Sequence, residues 1–96
     1  MAAYIFVSVD VTNDKAYDEY RKHVPGTLAK HGGKFLVRGG KYEQREGDWK
    51  PHRVVLLEFA DMAAAKRWYE SPEYQEILKI RLANSKTDLL LMVEGA

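Results

Sequence analysis

The first segment of the chain alternates between aliphatic and polar or aromatic positions. Tyr4 to Val11 carries one row of aliphatic side chains, Ile5, Val7, Val9 and Val11. The intervening positions are Tyr4, Phe6, Ser8 and Asp10. Alternation with a period of two predicts a β-strand with one buried face.

The next segment has the spacing of a helix. Thr12, Asn13 and Asp14 offer side chains that can cap its start, and the run His31-Gly32-Gly33 favours its end. Between them, apolar and aromatic residues recur every three or four positions, at Ala16, Tyr17, Tyr20, Val24 and Leu28. Pro25 lacks an N–H group, so we expect a kink or two short helices at Val24-Pro25-Gly26.

The middle of the chain predicts a long hairpin. Lys34 to Gly40 has the pattern of a second strand, with Leu36 and Arg38 on the side opposite Phe35 and Val37. We expect this strand to continue through residues 41–45 to a tip at 46–48, where Gly47 and Asp48 favour a turn. The return strand is 53–59, and its apolar run at 54–57 indicates burial on both faces.

The remaining segments predict two helices and a last strand. Asp61 can cap a short helix that carries Ala64, Ala65 and Trp68 on one face, and Ser71-Pro72 is a typical helix start. One stripe of this last helix holds Tyr74, Ile77, Leu78, Arg81 and Leu82, and the helix should end near Asn84-Ser85. The final strand, Asp88 to Glu94, is apolar on both faces.

This order of elements predicts an α+β fold. The sequence βαββαβ is typical of one ferredoxin-like domain over residues 1–96, with a four-stranded antiparallel sheet in the order 4-1-3-2 and its helices on one side. The other face would expose an apolar patch formed by Tyr4, Phe6, Leu36, Val54, Leu56 and part of Leu89–Val93. Monomers rarely leave such a patch in water, so we expect a homodimer that packs two sheets face to face, a dimeric α/β-barrel.

Composition and charge exclude some classes of partner. The chain is 46% hydrophobic and 30% charged, and 15 basic against 14 acidic residues leave a net charge of +1. Because basic and acidic residues are interleaved, we expect no nucleic-acid partner. Cysteine is absent, and no apolar run is long enough to cross a membrane. These features predict a cytoplasmic protein without a membrane partner.

Three charged residues stand where the strand pattern expects apolar ones. Asp10, Arg38 and Glu58 all fall on the predicted face away from the helices, where neighbouring strands would bring them together. A guanidinium between two carboxylates would keep each charge paired. This cluster is either a structural ion pair that fixes the dimer or a binding or catalytic site.

Other candidates lie on the helices. Arg81 interrupts an apolar stripe, so its guanidinium must reach solvent, pair, or face a pocket. Trp68 fits the core, and Tyr74 needs a hydrogen-bond partner if it is buried, which a ligand oxygen can provide. His23, His31 and His52 lack the spacing of metal ligands, and we expect neither a metal nor a cofactor.

Five separated motifs closely resemble those of a bacterial family, number thirteen-thirty among the domains of unknown function. They are Gly32–Gly40, Glu46–Trp49, Leu57–Phe59, Trp68–Gln75 and Val93–Gly95. The motifs follow in order with fitting spacing, and the resemblance covers essentially the whole chain. It implies a dimeric α/β-barrel of ferredoxin-like protomers, in agreement with the pattern of the residues.

The resemblance implies less about activity. The wider superfamily includes cofactor-free monooxygenases, small-molecule isomerases and dehydratases, haem enzymes, and proteins without known chemistry. The family's pattern singles out six positions without giving them a catalytic role: Arg38, Glu58, Trp68, Ser71, Tyr74 and Arg81. A haem is not expected, because no histidine stands in the context of an axial ligand.

The leading hypothesis is a homodimer that binds a small organic molecule in a cavity beside the sheet. Arg38 favours a carboxylate or enolate ligand, oriented further by Glu58 and by Tyr74 or Arg81.

Two other hypotheses stay open. One is a cofactor-independent acid/base enzyme, isomerase or monooxygenase-like, whose base would be Glu58, Asp10 or His23. The other is a structural or regulatory dimer without a ligand, which predicts no cavity near Arg38. The sequence leaves open whether the protein is an enzyme, and it identifies neither substrate nor reaction.

Overall fold

The computed structural model describes residues 1–96 and contains four strands and three helices. The elements follow in the order β1 (Ala3–Val11), α1 (Asp14–Lys30), β2 (Lys34–Arg38), β3 (Arg53–Phe59), α2 (Met62–Glu70), α3 (Pro72–Asn84) and β4 (Ser85–Glu94). The predicted order is confirmed, with the second helical segment divided in two. None of the helices has both the length and the apolar character that crossing a bilayer requires.

The four strands form one antiparallel sheet in the order β2-β3-β1-β4. This is the predicted order, and the fold is ferredoxin-like. Two irregularities interrupt the ladders, one between Ser8 and Val9 where β1 meets β4, and one between Phe35 and Val37 where β2 meets β3. The second irregularity decides the position of Arg38, because one extra residue turns the following side chains to the other face.

The core lies between the helices and one face of the sheet, called here the inner face. Ile5, Val9, Leu57 and Phe59 point from the sheet into this layer and are almost fully buried. Trp68 of α2 packs against Phe59, with ring centroids 5.6 Å apart. This packing fixes the helices over the inner face, as the strand alternation predicts.

Local side-chain bonds begin each helix. Asn13, Asp61 and Ser71 each accept a hydrogen bond from the backbone N–H three residues later, at distances of 3.2, 2.8 and 3.2 Å. These bonds satisfy N–H groups that lack a partner in the first turn of a helix. All three helix starts are among those that the sequence predicts.

Pro25 lies inside α1 without dividing it. The helix runs from Asp14 to Lys30, so the prediction of two short helices is wrong. Because proline has no N–H, the carbonyl of Arg21 loses its partner four residues along the helix. Arg38 of β2 supplies the missing donor, with its Nη2 3.0 Å from the Arg21 carbonyl oxygen.

The predicted long hairpin is shorter than expected. β2 ends at Arg38, and residues 39–52 form no strand, so the predicted continuation through 41–45 is wrong. Gly39 follows β2 with a φ of 69°, a left-handed conformation that favours glycine. Trp49 of this segment lies against Phe6, with ring centroids 6.2 Å apart. The segment therefore covers part of the sheet face away from the helices, called here the outer face.

Much of the outer face stays uncovered in the single chain. The outward side chains of β4, Leu89, Leu91 and Val93, are 38%, 48% and 46% exposed. β4 also begins at Ser85, three residues before the predicted start. Burial of the outer side of β4 therefore requires a surface that this chain does not itself supply.

Candidate functional site

A cavity lies between the helices and the inner face of the sheet. Its volume is about 40 Å³, which is room for a few water molecules. Most of its wall is apolar, formed by valines and leucines of β1, β3 and β4 and by aromatic side chains of the helices. The polar groups that reach it are arginines and tyrosines, with no carboxylate or imidazole among the lining residues.

Arg81 brings a positive charge into the protein interior. It lies on α3 and is only 3% exposed. Its Nη1 donates a hydrogen bond to Thr87 Oγ1 at 2.8 Å, but its Nε has no partner and no carboxylate lies within ion-pair distance. A buried arginine is normally paired with an acidic group. Because Arg81 has no such partner, the chain leaves its charge uncompensated.

Two tyrosine hydroxyls meet at the cavity wall. Tyr20 Oη and Tyr74 Oη are 2.7 Å apart, and either can donate to the other. Burial raises the pKa of Tyr20 well above its usual range, and Tyr74 beside it raises that pKa further. Burial also raises the pKa of Tyr74, although the charge of Arg81 opposes this. Both phenols stay protonated at neutral pH, so the pair keeps one O–H that can donate to a third group.

Trp68 holds Tyr74 in place. Its ring centroid is 4.0 Å from that of Tyr74, and its Nε1 donates to Thr27 Oγ1 at 3.0 Å. Ser71 caps α3 by accepting a hydrogen bond from the backbone N–H of Tyr74, and its hydroxyl donates to the Trp68 carbonyl at 2.7 Å. Trp68 therefore lines the cavity with its indole N–H already bound, whereas Ser71 uses its hydrogen bonds to join α2 to α3.

Three more arginines stand at the mouth of the cavity. Arg38 pairs with Val55 across the sheet, and Arg53 lies two residues before Val55 on the same face. The Cζ of Arg38 is 4.4 Å from the centroid of the Phe35 ring. Arg21 of α1 forms ion pairs with two carboxylates of its own helix, at 2.6 and 3.3 Å.

The predicted cluster of Asp10, Arg38 and Glu58 does not form. Asp10 and Glu58 point to the outer face, as predicted, and Glu58 pairs with Lys34 at 3.1 Å. The irregularity after Phe35 turns Arg38 to the inner face, where it joins the cavity instead. The three charges therefore lie on opposite sides of the sheet, and the prediction that they meet is wrong.

The sequence reasoning missed four residues of the cavity, Tyr17, Tyr20, Arg21 and Arg53. The first three share one helix stripe with Val24, so their spacing of three and four residues was the signal. Arg53 is in phase with Val55 and the inward side of β3. That signal was hidden by the unbroken apolar run that follows it.

A second polar cluster lies on the outer face. His52 Nδ1 is 2.8 Å from Asp88 Oδ2, which also accepts a hydrogen bond from Ser8 Oγ at 3.1 Å, and His52 Nε2 is 3.9 Å from Asp10. The hydrogen bond to Asp88 raises the pKa of His52, and the same bond lowers the pKa of Asp88. At mildly acidic pH, the His52 imidazole is therefore protonated and the Asp88 carboxylate is ionised.

Solved structures with the same fold come from several bacteria. A protein of unknown function from Rhodopseudomonas palustris aligns with a TM-score of 0.80 and 20% identity, over 99% of this chain and 82% of that one. A dimeric ferredoxin-like protein of unknown function from Jannaschia sp. CCS1 gives 0.71 and 18%, over 99% and 100%. SnoaB, a cofactor-independent oxygenase from Streptomyces nogalater, gives 0.68 and 15%, over 99% and 93%.

At these identities the likeness shows the fold alone. A comparison with curated proteins found no match. The model of one sequence family, however, matches residues 2–96, which is nearly the whole chain. The protein belongs to the family described as a domain of unknown function, DUF1330.

Proposed function

We propose that the protein binds a small organic anion in the cavity between its helices and its sheet, and that it does so as a homodimer. The ligand carries a carboxylate or enolate group, and Arg81 holds that group. The observation that carries the proposal is the buried guanidinium of Arg81, which has an unpartnered Nε and no acidic partner.

Electrostatics favours an anion at this place. Removing a cation from water costs several kcal/mol, and an opposite charge with good hydrogen bonds offsets that cost. Arg81 offers a free donor, and the Tyr20–Tyr74 pair offers a further O–H beside it. An oxyanion in reach of these groups would receive charge-assisted hydrogen bonds, which are the stronger kind.

The apolar wall suits the organic part of such a ligand, in the way usual for small-molecule pockets. The free volume of about 40 Å³ is too small for an organic molecule, so binding requires side chains at the mouth to move. Arg38 is exposed, so its side chain has room to swing outward.

The cavity gives less support to an acid/base enzyme. Such an enzyme needs a base within hydrogen-bond reach of the reacting proton. Two of the three candidate bases, Asp10 and Glu58, lie on the outer face, and His23 is an exposed residue of α1 beside Glu19. The cavity beside Arg38 also favours a ligand over a dimer without one.

The outer face supports self-association. Leu89, Leu91 and Val93 form an exposed apolar strip, and the protein from Jannaschia with the same fold is described as dimeric. Packing two such sheets together would bury both strips. Light scattering on the purified protein should give the mass of two chains, and a monomer at micromolar concentration would contradict this part of the proposal.

Binding is tested by calorimetry with aromatic and aliphatic monocarboxylates, benzoate and hexanoate, on the wild type and on Arg81→Met. The wild type should bind, and Arg81→Met should lose at least about tenfold in affinity, because a charge-assisted hydrogen bond is removed. Arg67→Met is the matched control, since Arg67 is an exposed residue of α2 without an ion pair. Equal affinity in Arg81→Met and the wild type would contradict the proposal.

A further inference from the structure

The cavity holds more positive charge than one anion can neutralise. Four arginines line it, and only Arg21 has carboxylate partners. Arg38, Arg53 and Arg81 have none, and no acidic side chain lines the cavity. A single carboxylate on Arg81 would leave the two arginines at the mouth without a counter-charge.

The guanidinium of Arg53 occupies a defined position beside Gly39. It lies so close to Gly39 that a Cβ at that position would overlap its Nη1 and Cζ. Gly39 is fixed in turn by its backbone N–H, which donates to the Val54 carbonyl at 2.8 Å. The absence of a side chain at position 39 therefore leaves space for the head of Arg53 at the mouth.

This position of the Arg53 guanidinium also brings it close to another positive charge, that of Arg38. Arg38 and Arg53 share the inner face at neighbouring positions of β2 and β3. Burial lowers the pKa of Arg53, and the charges of Arg21 and Arg38 lower it further. Positive groups held near each other without an acid are unfavourable in the free protein, and an anion between them removes that cost.

Arg53 and Arg81 lie on either side of Val9, an apolar residue of β1. Val9 pairs with Arg53 of β3 on one side and with Thr87 of β4 on the other, and Thr87 accepts the hydrogen bond from Arg81. Val7 and Val9 of β1 form the wall of the same cavity. A molecule that spans it meets positive charge, then apolar surface, then positive charge.

We infer that the ligand is a dianion with an apolar body, one anionic group bound by Arg81 and the other by Arg53 together with Arg38. This inference rests on the proposed function and makes its ligand class narrower. A dicarboxylate, or a carboxylate joined to an enolate or phenolate through a ring or chain, has this chemistry.

The experiment compares matched pairs of probes by calorimetry on the purified full chain. Benzoate is paired with terephthalate, and hexanoate with adipate, so that each pair differs in the second carboxylate. At least one dicarboxylate should bind about tenfold or more tighter than its monocarboxylate, because charge-assisted hydrogen bonds are added. Equal affinities within both pairs would overturn the inference and leave the proposed function standing.

Variants locate the second anion. Arg53→Gln should remove the advantage of each dicarboxylate over its paired monocarboxylate, a ratio that is measured within the variant itself. Arg67→Gln, on the exposed side of α2, should keep the wild-type difference. A dicarboxylate advantage that survives Arg53→Gln would overturn the inference. Failure of every probe to bind would overturn the proposed function as well.

Discussion

Replacing Arg81 with methionine should make the ligand-free protein more stable. The change keeps a long, flexible side chain in the interior but removes the uncompensated charge and the orphaned Nε. It also removes the hydrogen bond from Nη1 to Thr87 Oγ1. Removing an unsatisfied buried donor gains about 1–3 kcal/mol, and losing one hydrogen bond costs about 1 kcal/mol. Apolar replacement of buried ionic groups is often neutral or stabilising, so we expect a net gain of up to about 2 kcal/mol.

Urea denaturation followed by tryptophan fluorescence measures this gain as a higher midpoint at an unchanged slope. The melting temperature should rise by about 4–8 °C for each kcal/mol gained. Both proteins are compared at one protein concentration, because the proposed dimer would make the midpoint depend on concentration. Arg67→Met is the control and should change stability by less than about 0.5 kcal/mol. A loss of more than about 2 kcal/mol in Arg81→Met would mean that this arginine supports the fold, contrary to the reasoning above.

Three further predictions concern glycine packing, pH and Pro25. Gly33→Ala places a Cβ 2.5 Å from the Phe59 ring, so it should cost about 1–3 kcal/mol in denaturation, while Gly26→Ala, which meets nothing, should gain about 0.5–1 kcal/mol. Because its pKa is raised in the folded protein, His52 contributes fully to the free energy of unfolding below its ordinary pKa of 6.5, and this contribution disappears as the pH rises through the pKa of the folded state. In His52→Gln, the free energy of unfolding should therefore depend less on pH in this range. An unchanged pH dependence would contradict the pairing of His52 with Asp88. Arg38→Met should cost about 0.5–1.5 kcal/mol in the wild type and almost nothing in Pro25→Ala, where position 25 regains an N–H; equal costs in a double-mutant cycle would exclude the bond to α1.

The element order could be predicted because its signals are local. Alternation in Ala3–Val11 and the caps at Asn13, Asp61 and Ser71 depend on residues a few positions apart. The limits of β2 and β4 could not be predicted in the same way. A strand ends where its partner strand ends, and that depends on the register between distant segments.

The candidate site shows the same division between local and distant signals. Tyr74, Trp68 and Arg81 share a cavity, and each stood out in the sequence as a large or charged residue on a helix stripe. Arg38 was assigned to the wrong face, because nothing in its own segment signals the extra residue after Phe35. A β-bulge depends on pairing with β3, which a pattern with a period of two does not contain.

That one extra residue in β2 also explains how the two faces of the sheet differ. Without it, Arg38 would lie on the outer face with Asp10 and Glu58, as the period-two pattern of the sequence predicts. With it, Glu58 takes Lys34 as its partner, Asp10 lies near His52, and the guanidinium joins Arg53 and Arg81 around the cavity. The inner face thus gains positive charge that the chain leaves unneutralised, although its net charge is only +1. The outer face of β2 is left without that charge, while the apolar strip lies on β4 at the other edge of the sheet. The irregularity therefore favours an anion on the inner face, and it removes one charge from the face that we propose to pack against a second sheet.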